Sequence, residues 1–188
     1  MLTLERPTPT AKRWTRDDFV RLGDLGFFEP DDRVELVDGE IIDMGSQGPP
    51  HFRATDRAMR VLMRVFEPSC WVRNQGPLYL SVISQPVPDV AVVSGSVDDY
   101  QDDHPSAALL IVEVSDTSVG FDRGRKARLY AGAGIAEYWI IDVNARQLEI
   151  RRTPTADGYA EVTVFSETDT VTPIAAPDAL IAVKDLLP

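Results

Sequence analysis

One cysteine, Cys70, is all the thiol in 188 residues. An internal disulfide is therefore excluded, and no Cys/His spacing of a zinc module is present. The expected compartment is a reducing one, the cytoplasm. Long hydrophobic runs are also lacking: nothing approaches the roughly 20 apolar residues of a membrane span. The opening Met1-Leu-Thr-Leu-Glu-Arg-Pro7 has no signal-peptide core. Positive charge is scarce, with 19 Lys and Arg against 30 Asp and Glu and a formal net charge of −11. That balance argues against a nonspecific nucleic-acid coat, because phosphate binding draws on Lys and Arg. It leaves room for an enzyme with a local basic path to an acidic, metal-neutralised centre.

What is present is ordinary globular composition, 44% hydrophobic and 26% charged, enough for one real core. Residues 1–13 read as a disordered lead-in and 14–188 as a single domain. Thr15, with Asp18 three positions on, caps a short helix to about Leu22. Arg33 to Asp43 reads as two strands around Asp38-Gly39, a hairpin signal. His51 to Glu67 has helical periodicity, with Phe52, Met59, Leu62, Met63 and Phe66 on one face. Arg53, Arg57, Arg60 and Arg64 line the other, either as a solvated face or as a track for a phosphate backbone.

Strands are expected around Pro77–Ile83 and Asp89–Val93, followed by an acidic loop over 94–107 whose spacing fits no EF-hand. Leu109–Val114 is an apolar run, as expected of a strand buried on both faces. A helix from Asp122 to about Ala133, stopped by Gly134, leads to a buried strand over Glu137–Val143. Strand, helix, strand in that order favours a crossover within a mixed sheet. A closing hairpin turns at Asp157-Gly158, and the C-terminal tail packs over the core.

Chemistry concentrates at three residues. Asp89 follows Pro88 at the start of a strand, and Glu113 interrupts the apolar run 24 positions later. Carboxylates among apolar neighbours are costly unless paired or binding a metal. If the two strands are neighbours, both acids converge on one ion. Oxygen-only ligation, completed by waters and substrate phosphate, suits Mg²⁺ or Mn²⁺. Lys126 shares a helical face with Asp122, four residues before it. It either reaches the metal centre or forms an ordinary surface pair with Asp122. Glu113 is alternatively a satisfied buried acid, for example partnered by Arg128.

These residues carry a resemblance over about Trp14 to Leu187. Its segments are Asp32-Arg-Val-Glu-Leu-Val-Asp-Gly-Glu-Ile41, Pro50-His51, Gln75-Gly-Pro-Leu78 and Pro88-Asp-Val-Ala-Val92. They continue with Glu113-Val-Ser-Asp-Thr-Ser118, Asp122-Arg-Gly-Arg-Lys126, Tyr130-Ala131 and Gly134-Ile-Ala-Glu-Tyr-Trp-Ile-Ile-Asp142. In that order they resemble the Uma-type family of restriction-endonuclease-like proteins, within the PD-(D/E)XK nuclease superfamily. The resemblance implies an α/β (α+β) restriction-endonuclease-like fold. Its core is a mixed β-sheet flanked by helices, with an added N-terminal hairpin and a C-terminal β-hairpin.

By the same resemblance, Asp89 matches the aspartate of PD and Glu113 the second acid, both as metal ligands. The superfamily lysine is expected two positions after that acid, where this chain has Ser115. Lys126 on the following helix is its implied replacement. Glu35, His51, Gln75 and Asp122 are auxiliary candidates, Glu35 having a salt bridge with Arg33 as its alternative. The implied activity is a Mg²⁺-dependent (or Mn²⁺-dependent) endonuclease acting on nucleic acid, DNA first, as a homodimer. The alternative is a catalytically degenerate nuclease fold serving as a binding or regulatory module.

Overall fold

The computed structural model describes residues 10–188. Six strands form its central sheet: β3 (Cys70–Asn74), β4 (Val90–Ser94), β5 (Leu110–Ser115), β6 (Glu137–Asp142), β7 (Gln147–Thr155) and β8 (Gly158–Ser166), in that spatial order. Only β5 and β6 run parallel; every other neighbouring pair is antiparallel. The parallel step needs a crossover, supplied by a continuous helical segment. It consists of α3 (Val119–Phe121), a wide turn (Asp122–Lys126) and α4 (Ala127–Gly132). Gly134 ends it at φ 76°, a conformation glycine adopts without the penalty of a Cβ.

Both faces of the sheet are covered, so its central strands are almost wholly apolar. Val90, Val92, Val112, Val114, Trp139 and Ile141 pack against Ala54, Ala58, Leu62 and Phe66 of α2 (Pro49–Phe66) and against the tail residues Val183, Leu186 and Leu187. On the opposite face Ala91, Val93, Ile111, Tyr138 and Ile140 pack against Ala127 and Tyr130. This two-sided burial is the expected mixed core flanked by helices. At the N-terminal side stand α1 (Arg16–Asp24) and the hairpin of β1 (Val34–Val37) and β2 (Glu40–Asp43). Thr15 and Asp18 form the reciprocal capping box, and Asp38 and Gly39 turn the hairpin with φ 50° and 75°, as a two-residue Asp-Gly turn requires. A short pair, β9 (Thr170–Val171) and β10 (Ile181–Ala182), lies in the tail.

Of the lead-in expected over 1–13, residues 1–9 lie outside the described residues. Arg13 donates to Asp38 O at 2.7 Å and to Glu40 Oε1 at 2.6 Å. Among the described residues no helix is long and apolar enough to cross a membrane.

Two local expectations are corrected. Residues 77–83 form no strand; that stretch makes only an isolated bridge between Ser81 and Ser84. The prolines at 77, 86 and 88 remove ladder donors around it. The strand lies earlier, at β3, where Arg73 interrupts the apolar alternation and hides the signal. On α2 the buried face runs through His51, Ala54, Thr55, Ala58, Val61, Leu62 and Phe66, one residue round from the face expected. Phe52 is consequently 68% exposed.

Candidate acid–lysine centre

The β4–β5 register places Val90 opposite Val112. Extending that antiparallel ladder by one step sets Asp89 across from Glu113, and cross-strand partners project to the same face. The contact is seen directly: the Asp89 amide lies 3.4 Å from Glu113 Oε2, and the Val114 amide donates to Asp89 Oδ2 at 2.8 Å. Two acids 24 residues apart in sequence are thus joined by strand register.

Lys126 reaches them through the wide turn. The Ala127 N–H bonds back five residues to Asp122 O, a π-type turn of the kind that recurs at functional sites. It delivers the Lys126 amine into the interior, 1% exposed. Nζ donates to Glu113 Oε1 at 2.8 Å and to Glu35 Oε1 at 3.1 Å. Two of its three N–H donors are thus used, and Lys126 is among the residues lining the cleft. The Tyr130 hydroxyl, one helical turn on, donates to the same Glu113 oxygen at 2.6 Å.

Glu35 is buried on β1 with its second oxygen, Oε2, unpartnered among the described residues. The surface pair of Asp122 with Lys126 is not formed. Asp122 instead accepts from the hydroxyls of Ser115 and Ser118, each at 2.6 Å. Ser115, standing where the superfamily lysine is expected, fixes the start of the crossover. Arg128 makes no contact with Glu113, whose cation is Lys126.

His51 and Gln75 also gather here. His51 Nε2 lies 3.2 Å from Asp89 Oδ2; an ionised carboxylate only accepts, so in this contact Nε2 donates. Gln75, held at φ 46°, donates to Asp89 Oδ1 at 3.3 Å. Gln47 donates to the same oxygen at 3.1 Å and accepts from Gln75 at 2.9 Å. The structure thus brings Asp89, Glu113, Lys126, Glu35, His51, Gln75 and Asp122 into one neighbourhood. The arginines at 53, 57, 60 and 64 lie outside it, exposed along α2. Arg57 is tied to Leu187 O and Arg60 to Asp56.

Sequence reading missed the roles of Tyr130 and Gln47. Tyr130 was legible in principle, since four residues after Lys126 places it on the same helical face. Gln47 sits in a loop with no periodicity to reveal it.

Electrostatics separate this centre from the other buried acids. Glu137 takes Arg152, the Trp139 indole and the Ile174 amide; Glu149 takes Arg123 and Arg151. Those carboxylates have full arginine partners. Here two carboxylates share one ammonium. Burial, outweighing the attraction of Lys126, pushes the Glu113 carboxyl well above the usual range and raises that of Glu35. Lys126 goes the other way: burial opposes its charge, but Glu113 and Glu35 hold it firmly protonated. Asp89 is buried too, yet His51 and the Val114 amide keep it below its usual value.

The cleft above these groups has a volume of about 70 Å³, room for an ion and water but not for a nucleoside. Glu35, Asp89, Glu113, Asp116 and Asp122 face it, against the cations Arg33 and Lys126. Among the described residues no three His, Cys, Asp or Glu side chains converge as a ready-made metal cage. Asp89 and Glu113 do supply two hard oxygen donors in an electronegative cleft, which fits an ion that keeps much of its water.

Removing the Tyr130 hydroxyl tests the packing of this network. Tyr130→Phe is expected to lower stability by about 1–2 kcal/mol, because the buried Glu113 Oε1 loses one of its two donors. An unchanged urea midpoint would contradict that.

The fold has solved counterparts. A crystal structure described as a putative nuclease belonging to DUF820 from Anabaena variabilis ATCC 29413 superposes with a TM-score of 0.72 at 19% identity, covering 92% of this chain and 96% of the other. At that identity the likeness shows the shared fold. No curated protein matches the sequence. The family model Uma2, described as "Putative restriction endonuclease", matches residues 16–183, a stretch that includes every residue of the acid–lysine centre, and the chain belongs to that family.

Proposed function

We propose that the protein is a metal-dependent endonuclease hydrolysing phosphodiester bonds, in DNA first. The observation that carries this reading is the pairing of Asp89 with Glu113 beside a buried lysine shared by two carboxylates. Asp89 and Glu113 would hold Mg²⁺ or Mn²⁺, which supplies Lewis-acid polarisation of the phosphate and offsets charge in the transition state.

The chain's own groups divide the remaining work. Lys126 is fixed as a cation, so it is no base; its third N–H would bond a non-bridging phosphate oxygen or the attacking water. Glu35, buried, raised and with Oε2 free, is suited to accept the proton that water gives up as its oxygen attacks phosphorus and the P–O bond to the leaving oxygen breaks. His51, Gln47 and Gln75 hold the Asp89 carboxylate in orientation. Tyr130 and Lys126 together occupy Glu113 Oε1, which leaves Oε2 turned toward Asp89. Two copies of the chain would provide one site for each strand of a duplex, and the cytoplasm is the proposed compartment.

Mn²⁺ binding followed by calorimetry tests the assignment apart from turnover. Wild type is expected to bind, and Asp89→Asn to bind at least about ten-fold more weakly, the scale seen when a ligand or its support is lost. Equal affinities would remove Asp89 from the site. The net charge of −11 favours one other reading, a nuclease fold that binds a partner without cutting. That reading requires no cleavage of any nucleic acid under any divalent ion.

A further inference from the structure

Phe52 is an exposed aromatic ring on α2, in a surface depression next to the acid–lysine cleft, with Gln47 lining both. It follows His51, whose imidazole touches Asp89, and it sits in the first turns of α2 with 68% of its surface open to solvent. Gln47 connects the two places: its amide bonds Asp89 Oδ1, and the same residue lines the surface depression shared by Pro49, Phe52, Arg53 and Asp56, whose carboxylate is paired with Arg60. One side chain therefore separates the ring from an acid proposed to hold the metal ion.

The surrounding charge gives a direction. Asp31, Asp32 and Asp43, three carboxylates against the one cation Arg33, border Phe52 on the side of the N-terminal hairpin and on balance repel a phosphate backbone. On the other side α2 carries Arg53, Arg57, Arg60 and Arg64, all exposed. Arg53 and Arg64 have no hydrogen-bonded acceptor among the described residues. A polyanion leaving the cleft is thus steered along α2, past Phe52. Nothing in the core needs this ring, since α2 buries the neighbouring positions 51, 54 and 55 instead. An aromatic face beside a cationic track is the pairing by which proteins hold unpaired nucleotides, the base stacking on the ring while arginines follow the backbone. A base within an intact duplex has no free face to offer.

Building on the nuclease reading, we propose that Phe52 is the stacking platform for an unpaired base flanking the scissile phosphodiester. The preferred substrate is then single-stranded or locally opened nucleic acid. Phe52 is a specificity residue on this account and takes no part in the chemistry.

The test is binding of a fluorescein-labelled single-stranded oligonucleotide, and of the same sequence as a blunt duplex, to the full chain, with Ca²⁺ replacing Mg²⁺ to hold off cleavage. Wild type is expected to prefer the single strand. Phe52→Ala should weaken single-strand binding by about ten-fold, within the range for loss of one stacked base, and leave duplex binding within about two-fold. Phe52→Leu, apolar but without a π face, should behave like Phe52→Ala, while Phe52→Trp retains wild-type affinity. Because the side chain is exposed, these variants should keep the wild-type circular dichroism and melting temperature.

Single-strand affinity unchanged in Phe52→Ala, or lost equally for strand and duplex, overturns the stacking assignment while leaving the nuclease reading intact. Failure of the wild type to bind either oligonucleotide overturns both.

Discussion

Lys126→Met is expected to remove about 3–5 kcal/mol of stability, the cost of leaving buried charge without its partner. A domain of this kind has about 5–15 kcal/mol in total, so the variant should sit near the edge of folding at room temperature. The cause is local. Glu35 and Glu113 both bond Nζ, and methionine fills the space of the lysine stem while supplying no charge and no donor. Two carboxylates then face each other in an apolar setting, where each must take a proton to remain.

The double variant Glu35→Gln with Lys126→Met removes one of the two charges and should recover a large part of the loss. Chemical denaturation of the three proteins reads this directly. If Lys126→Met alone costs less than about 1 kcal/mol, the lysine is not the common partner of the two acids. Nuclease activity should fall by at least about a hundred-fold in both variants, because stability can be restored in this way but the cation cannot.

Glu113→Gln should separate activity from stability in the opposite sense. It is expected to abolish cleavage, by about a thousand-fold or more, since an amide neither neutralises nor firmly holds a divalent ion. Yet the metal-free variant should be as stable as wild type or more so, by about 0.5–2 kcal/mol, as is common when a site strained for function is relieved. Its carbonyl oxygen can still accept from Lys126 and Tyr130, and one ammonium then balances one carboxylate, that of Glu35.

The pH dependence follows from the same imbalance. The folded-state pKa of Glu113 is raised well above the ordinary value of 4.5, chiefly by burial. Stability from this group is therefore complete below the unfolded pKa and declines as pH rises toward the folded value. The metal-free wild type should lose melting temperature as pH is raised from about 4.5, and Glu113→Gln should flatten that slope. Asp89 acts in reverse, its pKa lowered below 3.8, so its contribution is present above that value and fades on acidification. A wild-type melting temperature that climbs steadily from pH 5 to 8 without metal would contradict the assignment for Glu113.

Much of this was legible in the chain because the elements obey local rules. The Thr15 capping box, the Asp38-Gly39 turn and the apolar runs of β5 and β6 each follow from residues close in sequence. The meeting of Asp89 and Glu113 was legible as well, given adjacent strands, because the acids punctuate otherwise apolar segments. Periodicity could not show what binds them together. The π-type turn over Asp122–Lys126 breaks the 3.6-residue repeat, so a regular helix drawn through it puts Lys126 on a surface pair with Asp122. Glu35 joins from a hairpin more than 75 residues before the site's second acid, with only its buried setting to mark it.

Phe52 shows the complementary failure. A large apolar residue at helical spacing reads as core, but two prolines begin α2 and the small residues Ala54 and Ala58 take the contact with the sheet. The ring is turned outward, where packing has no use for it.

The most direct test of the centre is relaxation of supercoiled plasmid DNA across a Mg²⁺ and Mn²⁺ titration, with wild type, Asp89→Asn and a chelator control run in parallel. The expected result is nicking by wild type that rises with metal, stops with chelator and is absent in Asp89→Asn. Nicking by Asp89→Asn at the wild-type rate, or wild-type nicking indifferent to chelator, would contradict the account.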